Sequence, residues 1–145
     1  MQEVDVKAKP MFEKAIIPTY ESKGASGFDF YSIKDYKIKP GKTELVRTGI
    51  SVEIPEGYEI VIRPRSGLSL KTKLRVANSP GTIDSDYRGE IKIILENTGE
   101  ETAEIKTGDR IAQGVLQEVL RSNFIKVRKL DQTDRGEGGF GHTGK

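Results

Sequence analysis

The residues able to do chemistry in this chain fall in a few short polar clusters that interrupt apolar alternation. The most acidic is Gly81-Thr82-Ile83-Asp84-Ser85-Asp86-Tyr87-Arg88-Gly89, read here as a hairpin. A carboxylate there accepts hydrogen bonds only, so it can orient a water and take its proton as negative charge builds on an electrophile. Pro64-Arg65-Ser66-Gly67-Leu68 offers a guanidinium, a hydroxyl and main-chain amides to an anion. Gly27-Phe28-Asp29-Phe30 sets a carboxylate between two aromatic rings, and Gly108-Asp109-Arg110-Ile111-Ala112-Gln113 adds an acid, a base and an amide. The stretch from Arg135 to Gly144 joins an arginine and Phe140 to glycines such as Gly141 with unhindered N–H groups, a set suited to a ligand bearing both phosphates and an aromatic ring. Singly, each cluster also has an ordinary reading: a turn aspartate, a capped loop, a surface ion pair of little energetic value, a frayed tail.

Composition removes many other chemistries. There is no cysteine, hence no disulfide, thiolate nucleophile or zinc–thiolate site, and the single histidine, His142, lies near the end of the chain without a serine elbow to serve. With 24 basic and 22 acidic residues the net charge is +2, too balanced for a general nucleic-acid binder. The start of the chain, Met1-Gln2-Glu3-Val4-Asp5, lacks a signal-peptide pattern, and no apolar run approaches the roughly 20 residues that span a bilayer. The expectation is a soluble protein, cytoplasmic or otherwise intracellular, with no membrane partner. At 145 residues and 34% hydrophobic content it has one modest core, a size that often gains stability by oligomerising.

The elements that must position these clusters are strands. Val4, Val6 and Ala8 alternate with polar residues, as do Ile50, Val52 and Ile54 before the turn Pro55-Glu56-Gly57. Ile60–Ile62, then Ile91, Ile93 and Leu95, then Ile111, Gln113 and Val115 continue the pattern, and Phe124-Ile125-Lys126-Val127 is the last predicted strand. Short strands divided by Gly, Pro and Asn turns predict an all-β fold, an antiparallel sandwich or barrel. One short helix is predicted from Ser66 to Lys73, with Ser66 as its N-cap. The glycine-rich end cannot form a core and is expected to be mobile, dividing the chain into a domain at 1–134 and an arm at 135–145.

In order and spacing, the five clusters resemble the five motifs of the trimeric dUTPases (deoxyuridine triphosphate nucleotidohydrolases) over nearly the whole chain. Small departures are Phe28 and Phe30 for Tyr and Leu, Thr82 for an aliphatic residue, and His142 for Ser. The resemblance implies a jelly-roll β-barrel or sandwich, a homotrimer with active sites shared between subunits, and a C-terminal arm that closes over a neighbour's site. It implies hydrolysis of dUTP to dUMP and pyrophosphate, removing dUTP from the nucleotide pool and supplying dUMP for thymidylate synthesis. Asp84 would hold the water that attacks the α-phosphorus; Asp86, two residues on, is the rival that only the motif match disfavours. Arg65, Ser66 and Gly67 would hold phosphates, Gln113 the α-phosphate region and Arg135 the γ end. Mg²⁺ would be bound mainly by phosphate oxygens and water, with Asp29 helping to hold its water shell. Uracil would be read by the main chain of Gly81, Thr82 and Ile83, near Lys92, and by Asn78. Tyr87 would pack on the sugar, and Phe140 would stack on the base with Gly141 beside it. The alternatives within the fold are a dCTP deaminase, which the Ile83-Asp84-Ser85-Asp86-Tyr87 run disfavours, and a regulatory protein gated by nucleotide.

Overall fold

A computed structural model describes residues 1–144. The alternation resolves into ten strands and one helix: β1 (Lys7–Pro10), β2 (Phe28–Tyr31), β3 (Tyr36–Ile38), β4 (Thr43–Glu53), β5 (Tyr58–Arg63), α1 (Ser66–Lys71), β6 (Leu74–Val76), β7 (Gly81–Ile83), β8 (Ile91–Asn97), β9 (Ala103–Ile105) and β10 (Arg110–Glu118). They form antiparallel sheets in the orders β1-β4-β8-β6, β2-β10-β5-β7 and β3-β9. The inward side chains of the two larger sheets meet in one core, which includes Phe30, Val46, Ile50, Ile60, Ile62, Leu74, Ile91, Ile93, Leu95 and Ile111. In β8, Ile91, Ile93 and Leu95 are buried while Lys92 points outward, as a half-buried strand requires. The sheets do not close on one another, so the jelly-roll-like fold is a sandwich and not a sealed barrel.

Three expectations are corrected. The acidic run is not a hydrogen-bonded hairpin: β7 pairs with β5 and β8 with β4 and β6, so residues 84–90 are a turn that carries the chain between sheets. The N-cap of α1 is Arg65, without a side-chain capping bond, and the helix ends at Lys71. Ser66 begins the helix instead because the extended conformation of a cap falls one residue earlier, at φ −97° and ψ 133°. Finally, Phe124–Val127 forms no strand. It pairs with no sheet edge among the described residues, and Phe124 is 93% exposed and Ile125 77% exposed.

Candidate active site

Three distant segments build one charged, hydrogen-bonded patch. Strand β10 lies between β2 and β5, and the register sets Gln113 opposite both Asp29 and Arg63. Asp29 is only 7% exposed, and a desolvated carboxylate needs compensation. It accepts a hydrogen bond from Arg65 Nε at 2.9 Å on one oxygen, while Arg110 Nη1 stands 3.5 Å from the other. Arg110 also reaches Glu21 at 3.4 Å. Gln113 Nε2 donates to the Pro64 carbonyl at 2.9 Å. Its side chain lies so close over Gly27 that any Cβ there would collide with it, which is why glycine precedes the Phe28-Asp29-Phe30 run. Asp29, Arg65 and Gln113 are thereby locked together, with Ser66 exposed and Gly67 half-buried beside them.

A second constellation surrounds the inter-sheet turn. Gly81 is buried opposite Ile62, and a side chain on it would approach Asn78 Nδ2 to 3.2 Å. The Ala77 N–H donates to the Ile94 carbonyl, so the chain runs along β8, the strand that carries Lys92, up to the residue before Asn78. Asn78, Gly81, Thr82, Ile83 and Lys92 thus line neighbouring stretches of backbone. Tyr87 folds back so that its hydroxyl donates to the Glu90 carbonyl at 2.8 Å, with its ring against Gly89 where no side chain would fit. Arg88 Nη1 closes the turn on the Ser85 carbonyl at 2.7 Å. Asp84 and Asp86 are both exposed and line one concave surface of about 760 Å³ with Tyr58, Arg88 and Arg121.

Sequence reasoning missed one part of this constellation. Glu90 is 8% exposed and is gripped by Arg47, 3.2 and 3.1 Å from Nε and 2.8 Å from Nη2. Burial pushes its carboxyl up, but the hydrogen bonds and charge of Arg47 prevail and hold it below the ordinary value of 4.5. A depressed carboxylate stabilises the fold above its ordinary range, and that contribution is lost as pH falls through the lowered value. Thermal melts of the wild type and Glu90→Gln should therefore differ most near neutrality and converge as the buffer is taken to about pH 3. An unchanging gap would contradict a stabilising charged pair.

Asp84 stands apart from the Asp29–Arg65–Gln113 patch in one chain, although Gly81, opposite Ile62, lies near the Arg65 end of β5. Ile83 pairs with Ile60, so Asp84 lies by the Tyr58–Glu59 end of β5, whereas Arg65 follows its other end. Six positions of extended chain between Glu59 and Arg65 correspond to roughly 20 Å. The arm joins neither: Arg135 Nε donates to Gly138 in its own turn at 2.8 Å, and Phe140 is fully exposed. The last strand ends at Glu118, ahead of the expected boundary at 134. Among the described residues no helix is long and apolar enough to cross a membrane.

Comparison with known proteins agrees with this arrangement of segments. The dUTPase family model matches residues 13–144. The chain is 53% identical over 140 residues to the deoxyuridine 5'-triphosphate nucleotidohydrolase of Nautilia profundicola, covering 97% of this chain and 99% of that protein. It is 48% identical over 139 residues to the same-named protein of Helicobacter pylori strain J99, covering 96% of each. Among solved structures, a point mutant of the dUTPase of Staphylococcus bacteriophage 80alpha, with dUpNHpp, superposes with a TM-score of 0.92 at 26% identity, over 97% of this chain and 99% of that one. With five motifs lying on the sheets and turns just described, and relatives near half identical along nearly its full length, the chain belongs to the dUTPase family.

Proposed function

We propose that the dUTP hydrolysis of this family runs here across a composite site, in which the Asp84 turn of one copy faces the Asp29–Arg65–Gln113 patch of another within a homotrimer. The observation that carries this reading is that Asp84 lies by one end of β5 and Arg65 beyond the other, roughly 20 Å along the strand, so the Asp84 carboxylate and the Arg65 guanidinium of one chain do not converge on one α-phosphate. The exposed apolar side chains Phe124, Ile125 and Leu130, beyond the last strand, favour subunit contact as well.

Asp84 would accept a hydrogen bond from water and take its proton as the water oxygen bonds to the α-phosphorus. The bond from that phosphorus to the bridging oxygen breaks, and pyrophosphate leaves from dUMP. Arg65 would meet the phosphate chain with the guanidinium nitrogens not spent on Asp29, aided by Ser66, Gly67 and the Gln113 amide. Arg135 would leave its own turn to bind the γ-phosphate as the 135–145 arm closes, with Phe140 on the base and the Gly141 N–H nearby. Uracil would be read by the main chain of Gly81, Thr82 and Ile83, near Lys92, and by Asn78. Cytosine would leave a buried polar group unpaired there, at about 1–3 kcal/mol. Tyr87 would pack against the deoxyribose where a 2′-OH would stand.

Among the described residues no group of three or more His, Asp or Glu side chains forms a metal cage. That donor set suits a Mg²⁺ carried in on phosphate oxygens and water, where it would neutralise part of the triphosphate charge. The two arginines on Asp29 favour a main task of orienting Arg65, with contact to the metal's water shell secondary. An enzyme of the dUTP pool would work in the cytoplasm or another intracellular compartment.

The test is pyrophosphate release in Mg²⁺ across a nucleotide panel. The rate with dUTP should exceed those with dCTP, dTTP and UTP, and for dCTP the unpaired polar group of about 1–3 kcal/mol corresponds to roughly 5- to 150-fold. Equal rates with dUTP and dCTP would refute the base-reading assignment.

A further inference from the structure

Glu90 occupies a position that alternation alone would give to solvent. It lies two residues before Lys92, on the same outward face of the strand, and Lys92 stands directly opposite Arg47. Arg47 is therefore the diagonal cross-strand neighbour of Glu90, within reach of a long side chain. That face is nevertheless covered. Phe12 lies under the Arg47 guanidinium, its ring centroid 4.7 Å from Cζ. Phe12, Ala15 and Ile33 also close on Gly49, the residue at φ +69° where β4 slips register between Arg47 and Ile50. The Arg47 main chain is fixed in turn, since its N–H donates to the Tyr36 hydroxyl at 3.0 Å. The pair is thus bidentate, with the Glu90 carboxylate buried and the Arg47 side chain 36% exposed but seated on Phe12, and the fork geometry and buried acceptor favour a fixed arrangement.

What it holds is the exit of the catalytic turn. The Glu90 side chain is fixed by Arg47, and Gly49 N–H faces the same carboxylate at 3.4 Å. The Glu90 carbonyl then receives the Tyr87 hydroxyl at 2.8 Å, which sets the ring down on Gly89. Tyr87 is 43% exposed, so little else restrains it. We propose that the Arg47–Glu90 ion pair is a positioning device for Tyr87, and that through it the β4–β8 sheet sets the enzyme's selection of a 2′-deoxy sugar over a ribose. The inference rests on the sugar-packing role assigned to Tyr87 above. A 2′-OH adds one oxygen, and a ring displaced by about 1 Å is enough to admit it, the scale of misplacement to which active sites respond strongly.

The experiment compares kcat/KM for dUTP and UTP in the wild type, Glu90→Gln, Arg47→Lys, Tyr87→Phe and the double variant Glu90→Gln/Tyr87→Phe. Lysine cannot reproduce the bidentate fork, so Arg47→Lys loosens the pair with its charge intact and serves if Glu90→Gln folds poorly. Each single variant should lower the dUTP/UTP preference about tenfold, the scale of one lost hydrogen bond, mainly by raising turnover of UTP. The double variant should lose little beyond Tyr87→Phe alone, because Glu90 acts through that hydroxyl. A purely structural pair would depress both substrates equally and keep the ratio. A wild-type enzyme that prefers dUTP, with the ratio unchanged in folded Glu90→Gln and Arg47→Lys, overturns the inference alone. A wild type that does not distinguish UTP from dUTP overturns the role of Tyr87, and this inference with it.

Discussion

Asp84→Asn is expected to lower kcat for dUTP by about 10²–10⁴-fold, the range associated with removing a general base, while dUTP still binds. Asparagine keeps the size of the side chain and one acceptor oxygen, so water can still be held, but the amide cannot take its proton. On the proposed assignment the phosphate contacts would come from Arg65, Ser66, Gly67 and Arg135, so single-turnover experiments should find affinity retained and chemistry slowed. Asp86→Asn is the necessary companion. Both aspartates line the same concave surface and both are exposed. If Asp86→Asn is the slower enzyme, the water belongs to Asp86. The composite site adds a sharper consequence. Mixing Asp84→Asn chains with Arg65→Met chains and allowing exchange should restore activity to a fraction of sites, those that draw an intact Asp84 and an intact Arg65 from different copies. No recovery, in mixtures proven to contain hybrids by native mass spectrometry, would require both groups from one chain and so contradict the roughly 20 Å separation argued from strand register.

The sequence was legible where periodicity and burial coincide. Ile91, Ile93 and Leu95 are readable as an inward face because they recur at every second position with Lys92 and Glu96 on the other face, Ile94 being the one apolar exception, and all three are buried. The site residues were readable as clusters, because loop chemistry is local in sequence. Their mutual arrangement was not. Nothing in Gly27 announces that Gln113 will lie over it, since the contact depends on β10 pairing with β2, a long-range choice of partner. The turn at 84–90 looked like a hairpin because Gly81–Ile83 and Ile91–Asn97 are both β-forming and close in sequence, yet they joined different sheets. Arg47 and Glu90 escaped notice for a related reason. Forty-three residues separate them, and alternation puts both on a face that would be solvent were it not roofed by Phe12 and Ala15. Phe124–Val127 has strand-forming side chains but docks on no sheet edge among the described residues, so its pattern expresses a local propensity that the chain leaves unpaired.

Deleting residues 135–145 should cripple catalysis with almost no effect on folding, and the contrast between the two is the informative result. On the proposed assignment the loss would comprise the Arg135 contact to phosphate, a charge-assisted interaction, and the stacking of Phe140 on the base. Together these amount to about 2–4 kcal/mol, or roughly 30- to 1000-fold in kcat/KM, before any added cost from water admitted to the open site. The fold should not notice. Among the described residues the last strand ends at Glu118, Arg135 bonds within its own turn, and Phe140 is fully exposed. Surface changes of that kind fall within about 0.5 kcal/mol, a shift of about 2 °C in Tm. A truncated protein that melts much earlier would make the arm structural and move the domain boundary toward the C-terminus. One that keeps full activity would remove Arg135 and Phe140 from the site, leaving Arg65, Ser66 and Gly67 to hold the triphosphate alone. The intermediate outcome discriminates further: Arg135→Ala should depress kcat/KM at every pH with Phe140 intact, while Phe140→Ala should weaken dUTP more than pyrophosphate as an inhibitor, because only the nucleotide carries a ring to stack.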